Sequence, residues 1–135
     1  MAEFIHGNQS IHYELAGVRE FRLRTPVLLL HGNGEDMHIF DNMIAPLLGA
    51  KGFVLMDSRM QGESFSLDGG GEISYSAMAD DAAALMDELG INEYDIVGYS
   101  DGGIIALLMA MKSFKVRRFF TIGANTDPSG LTAKA

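Results

Sequence analysis

The stretch YDIVGYSDGGIIALLMAM, residues 94–111, decides the fold. Tyr94 to Tyr99 reads as a buried strand, and the segment from about Asp101 to Met111 reads as a helix. Lys112 and Lys115 follow that helix, where positive charge suits the C-terminal end of the helix dipole. Between the two lies Gly98-Tyr99-Ser100-Asp101-Gly102, which fits G-x-S-x-G. A serine on so sharp a strand-to-helix turn takes strained backbone angles and projects its hydroxyl into a cleft. Glycines two residues before and after it remove side chains that would collide across the turn. The helix N-terminus then points its N–H groups at any oxyanion that develops. The bare pattern is weak evidence in a chain with 16 glycines, but the strand before it and the helix after it supply the context the motif requires. The competing reading is a plain tight turn with a capping serine.

Working outward, Phe4-Ile5-His6 and Ile11 to Leu15 alternate around Gly7-Asn8 and read as a hairpin. Val27 to Leu30 and Phe53 to Met56 are continuous apolar runs, suited to strands buried on both faces. Phe40, Met43, Ile44, Leu47 and Leu48 have helical spacing that Pro46 should kink. Residues 58–72 are polar and glycine-rich and read as a long functional loop. Tyr75, Met78, Ala82, Leu85 and Leu89 mark an amphipathic helix ended by Gly90, with Asp80, Asp81, Asp87 and Glu88 expected on its outer face. Val116 to Ile122 is the sixth strand, and a polar tail follows from Gly123. Strand and helix alternate after the hairpin, which is the pattern of an α/β fold with a largely parallel sheet in a single domain, 1–135.

Composition narrows the partners. The net charge of −8 argues against nucleic acid or an anionic membrane surface, since both require a cationic face. There is no cysteine, so disulfides and thiolate metal sites are excluded. The longest apolar run, Ile104 to Met111, is far short of a bilayer span, and residues 1–10 lack the pattern of a secretory signal. A cytoplasmic protein is expected. Two partial glycine fingerprints for a dinucleotide fail, because Met37 and Ser100 stand where glycines are needed.

Two further motifs converge on the serine turn. His31-Gly32-Asn33-Gly34 closes the Val27–Leu30 strand, and Asp57-Ser58-Arg59-Met60-Gln61-Gly62-Glu63-Ser64 closes the Phe53–Met56 strand. In that order, and over essentially the whole chain, the sequence resembles the α/β-hydrolase family. The resemblance implies a three-layer α/β/α domain with an N-terminal hairpin and a mostly parallel sheet. It implies Ser100 as nucleophile toward a small carboxylic ester or related acyl substrate, through an acyl-enzyme. The backbone N–H groups of Asn33 and Asp101 would form the oxyanion hole. His31, Gly32, Gly98, Gly102, Asp57 and Arg59 would support it, with no cofactor and no metal.

Two departures stand out. Met60 replaces the first glycine of the family's Asp-x-Arg-Gly-x-Gly-x-Ser loop, which is expected to alter local shape rather than chemistry. More seriously, the family places its catalytic histidine after the serine, and no histidine follows Ser100; His6, His12, His31 and His38 all precede it. Asp127 alone could occupy a family acid position. The chain is therefore expected to be a partial domain cut after its sixth strand, with impaired catalysis. Residues 116–122 would leave an apolar edge that joins a homodimer or larger assembly. His31 is expected to brace the oxyanion loop and His38 to lie at the surface. Glu35 and Asp36 read as solvated loop charges, and Lys112, Lys115, Arg117 and Arg118 as a basic cluster serving the helix dipole. Tyr99, Met60 and Phe40 are candidate walls of the cleft.

Overall fold

A computed structural model describes residues 2–123 of the chain; Asp127 and the tail from 124 lie outside them. The strands are β1 (Ala2–His6), β2 (Gln9–Ala16), β3 (Val27–Leu30), β4 (Phe53–Met56), β5 (Phe65–Ser66), β6 (Tyr94–Tyr99) and β7 (Val116–Ile122). They form one sheet in the order β1-β2-β4-β3-β6-β7, with β5 on β2. The hairpin pairs His6 with Gln9 across Gly7-Asn8, and Gly7 takes a φ of 59° that a side chain would resist. β2 meets β4 antiparallel, while β3 pairs parallel with both β4 and β6, and β6 with β7.

Each central strand is buried on both faces, so alternate residues feed two separate cores. Leu28, Leu30, Val54, Met56 and Ile96 pack beneath α2 (Tyr75–Glu88) and α3 (Asp101–Lys112). Val27, Leu29, Phe53 and Leu55 pack on the other face against Met37, Phe40 and Ile44. This is the three-layer α/β/α arrangement.

The second layer is thin. Pro46 does not kink one helix; the segment breaks into a 3-10 turn (Met37–Phe40), the four-residue α1 (Asp41–Ile44) and a second 3-10 turn (Ala45–Leu47) that holds the proline. Phe40 and Ile44 reach the sheet, whereas Met43, Leu47 and Leu48 are each more than a third exposed. α2 is clean at both ends: Ser74 accepts the Ala77 N–H at 3.0 Å, and Gly90 terminates the helix at a φ of 72°.

The sheet has seven strands rather than six. β5 lies within the polar 58–72 loop and consists of two residues, paired with Gln9 and Ser10. One phenylalanine among polar neighbours carries no strand periodicity, so nothing local announced it.

The larger correction concerns Asp81. It was expected on the wet face of α2, but it is fully buried. Arg59 reaches it with Nε donating to Oδ2 at 2.7 Å and Nη2 donating to Oδ1 at 2.9 Å, and the ring Nδ1 of His6 lies 2.7 Å from Oδ1. These bonds hold the Arg59 guanidinium above its ordinary pKa, even against the opposing effect of burial. One carboxylate thereby ties the N-terminal hairpin, the loop after β4 and α2 together. Asp80, its chain neighbour, is exposed as expected and only 3.9 Å from Lys112.

Removing one partner of a buried pair strands the other charge, at a cost of about 3–5 kcal/mol. Asp81→Asn is accordingly expected to lower unfolding free energy by about 3 kcal/mol in a urea titration, whereas Asp80→Asn should change it by no more than about 0.5 kcal/mol.

Candidate functional site

Ser100 follows the last residue of β6 and precedes the first of α3, with φ 55° and ψ −117°. A serine in such a conformation stores roughly 1–3 kcal/mol of strain, so the surroundings must enforce it. They do so by crowding. A Cβ on Gly98 would strike the backbone of Gly102 and Gly103, and one on Gly102 would strike the carbonyls of Leu30 and His31. With both positions glycine, α3 springs from β6 in direct backbone contact with the end of β3. The N–H of Ser100 donates to the Ile122 carbonyl at 2.8 Å, which anchors the turn to β7.

Across from Ser100 lies the His31-Gly32-Asn33-Gly34 turn. A Cβ on Gly32 would stand 3.2 Å from the Ser100 Cβ and 2.5 Å from Glu35 Oε1, so this glycine is what lets the two turns approach. The N–H of Gly32 donates to Glu35 Oε1 at 3.0 Å, that of Gly34 to Gln61 Oε1 at 3.0 Å, and that of Glu35 to the Gly32 carbonyl at 3.2 Å. The Asn33 N–H, between those of Gly32 and Gly34, has no acceptor among the described residues. The Asp101 N–H, first in α3, has no intrahelical acceptor either. Both candidate oxyanion donors are thus unspent.

His31 is buried and fully engaged. Its Nδ1 donates to the Gly32 carbonyl at 2.6 Å, and its Nε2 accepts the Ser58 N–H at 2.9 Å. These partners fix one neutral tautomer and leave no nitrogen for a serine proton, so it braces the turn. Asp57 is a second brace: its carboxylate accepts the N–H groups of Met37 at 2.8 Å and Glu63 at 2.9 Å. Arg59 sits elsewhere, on Asp81 and on the Glu72 carbonyl, and supports the loop rather than the serine turn. Met60 has a φ of 57°, a left-handed conformation of the kind glycine takes without cost and a methionine bears as strain.

A cavity of about 380 Å³ opens beside these groups, lined among others by Asn33, Ser58, Gln61, Ile73, Tyr75, Met78, Asp101 and Ile105. The Tyr75 hydroxyl donates to Asp101 Oδ1 at 3.1 Å; burial, then this bond, raises the phenol above its ordinary pKa. A second hollow of about 350 Å³ lies on the far side of the serine turn, with Tyr99 and Phe40 in its wall beside Glu35, Ile39, Met43 and Ile122. Of the three side chains expected to line the cleft, Met60 borders neither hollow. Glu35 and Asp36 also carry more than solvated charge, since Glu35 holds Gly32 and Asp36 accepts the His38 N–H at 2.9 Å. Sequence reading missed Gln61, Tyr75 and the holding role of Glu35. Single polar residues in loops or first turns leave no periodic trace, and only their partners reveal them.

His38 lies at the surface, 3.0 Å from Asp41, and this contact raises its pKa despite the small opposing effect of burial. His6 and His12 are bound to carboxylates outside the cavity lining.

A family model described as alpha/beta hydrolase fold matches residues 25–135. Among solved structures, a hydrolase from Pseudomonas aeruginosa superposes with a TM-score of 0.83 at 21% identity, covering 98% of this chain and 50% of that one. A candidate epoxide hydrolase from the same organism gives 0.75 at 27% identity over 89% of this chain and 39% of its own. A meta-cleavage product hydrolase from Pseudomonas fluorescens, solved as a serine-to-alanine variant with acetates, gives 0.79 at 23%, covering 92% and 45%. The chain spans half or less of the length of these three structures.

The crossing of Gly102 over β3 carries a test. Gly102→Ala is expected to cost about 1–3 kcal/mol of stability by overpacking, measured by denaturant unfolding. Gly34→Ala, where a Cβ meets nothing within 4 Å, bears only the strain of its φ of 78° and is expected to cost less.

Proposed function

The chain belongs to the alpha/beta hydrolase fold family, and on that premise we propose that its chemistry is serine hydrolysis of a small carboxylic ester or related acyl compound. The observation that carries this reading is a strained Ser100 turn packed against the turn of Gly32, with two unspent N–H groups on Asn33 and Asp101, residues that both line one cavity. Ser100 Oγ would attack the acyl carbonyl, and the carbonyl oxygen would gain charge against those two amides. Collapse of the tetrahedral species would expel the alcohol and leave an acyl-serine for water to hydrolyse. Each such donor is typically worth about 2.7–4 kcal/mol at the transition state.

Among the described residues, no side chain accepts a hydrogen bond from the Ser100 hydroxyl. His31 is occupied by Gly32 and Ser58, and the remaining three histidines do not line the cavity. On this reading the activity of the chain by itself is impaired, because a hydroxyl without a base in hydrogen-bond reach is a poor nucleophile.

A reactive fluorophosphonate tests both parts. Labelling should be slow, accelerate when free imidazole is added as an external base, and vanish in Ser100→Ala. Labelling that persists in Ser100→Ala, or none even with imidazole, would overturn the nucleophile assignment. Rapid stoichiometric labelling without imidazole would overturn the impairment.

A second reading, a non-catalytic chain that self-associates, is favoured by β7. Six of its seven residues are exposed, including Phe119, Phe120 and Ile122, and its outer edge pairs with no strand among the described residues. Met111 and Phe114 are exposed beside it. Arg117 and Arg118 both bond Asp95 on β6, at 3.0 and 3.1 Å for the closer contacts, at the point where the register of the pair shifts from Tyr94 opposite Val116 to Asp95 opposite Arg118. Burial lifts the Asp95 carboxyl, but these two arginines outweigh it and hold its pKa low. An edge of this kind is a template for another copy. Sedimentation is expected to show a dimer at micromolar concentration that Phe120→Lys converts to monomer; a monomeric parent chain would end this reading.

A further inference from the structure

Among the described residues, Asp101 is the one acidic side chain in the wall of the cavity beside the serine turn, and neither a lysine nor an arginine borders it. An acid in the first turn of a helix ordinarily serves the helix dipole. The Asp101 carboxylate has a further partner. It accepts no backbone N–H of α3; its hydrogen bond among the described residues comes from the Tyr75 hydroxyl, at 3.1 Å onto Oδ1. Tyr75 opens α2, so this bond crosses between two helices and holds the carboxylate at the cavity wall. Oδ2 receives no hydrogen bond from the described residues. The imidazole in the same wall, His31, is already bound at both ring nitrogens.

We infer that the Asp101 side chain sets substrate specificity, selecting esters that carry an ammonium group near the scissile carbonyl over neutral and anionic ones. The inference rests on the serine-hydrolase reading of the same site. An anionic group brought to this wall would lose water and meet a like charge with no cation near to offset it. An ammonium group would meet a carboxylate with one oxygen still open. Ile73, Met78 and Ile105 make other parts of the wall apolar, and charges attract more strongly there than in open water. The net charge of −8 acts in the same sense at longer range.

One residue then has two duties. Its backbone N–H faces the developing oxyanion, and its side chain reads the charge of a neighbouring substituent. Amide and carboxylate of a single aspartate are only a few bonds apart. A substrate whose carbonyl oxygen reaches the Asp101 N–H therefore brings only a nearby substituent to the carboxylate. Amino-acyl esters have an ammonium group so placed, whereas an ester with its charge at the end of a long chain does not. Tyr75 is a positioning residue here, since it holds the carboxylate without supplying the charge.

The test compares three probes of one size, benzylammonium, benzyl alcohol and benzoate, by amide chemical shifts of the full chain at neutral pH. Benzylammonium should shift the Tyr75, Asp101 and Ile105 amides and bind about fivefold to tenfold tighter than benzyl alcohol, with benzoate weakest. Asp101→Asn keeps the size and removes the charge, and should abolish that order. Tyr75→Phe keeps the charge and should preserve it. Equal binding of the three probes by the parent, or the same preference in Asp101→Asn, would overturn the inference. Imidazole-assisted fluorophosphonate labelling, read on the same samples, separates the two assignments. Labelling of Ser100 without a cation preference sinks the specificity assignment alone. A cation preference without labelling sinks the nucleophile and leaves Asp101 as a cation-binding group.

Discussion

The structure hangs on a backbone crossing at which no side chain fits. Gly102 in the first turn of α3 lies against the carbonyls of Leu30 and His31 at the end of β3. That crossing fixes how α3 leaves the sheet and so where Ser100 stands. Gly32 performs the same service from the opposite turn, keeping the Ser100 Cβ and the His31–Gly34 turn within touching distance. Close approach of backbones is what brings two loops, distant in sequence, to either side of one cavity.

Much of this was legible in the sequence because it depends on short-range chemistry. The apolar runs at 27–30 and 53–56 announce strands buried on both faces, and both are. The glycine spacing around Ser100 announces a turn too tight for side chains, and the φ of 55° at Ser100 shows its cost. Met60 is instructive in the same way. The family-like loop calls for glycine there, and the methionine takes the glycine conformation rather than abandoning the turn.

What the sequence hid depends on partners. Asp81 and Asp80 are adjacent, and polarity gives no reason to treat them differently, yet one is fully buried beneath Arg59 and the other is wet. An acidic residue near the edge of an apolar stripe counts as surface until its counter-charge is known, and here that charge comes from another loop. The seven-strand sheet escaped for a similar reason, since β5 exists only because Gln9 and Ser10 offer it backbone groups. The unspent amides of Asn33 and Asp101 were inferable by resemblance, but the groups that occupy their neighbours, Glu35 and Gln61, were not.

The anchoring of Ser100 by Ile122 has a bearing on assembly. A ribosome delivers β3, β6 and α3 before it delivers β7, so the carbonyl that receives the Ser100 amide is the last piece to arrive. Until then the strained turn lacks one of the bonds that hold it. The turn at Ser100 can thus gain that bond only after both elements it joins have been synthesised.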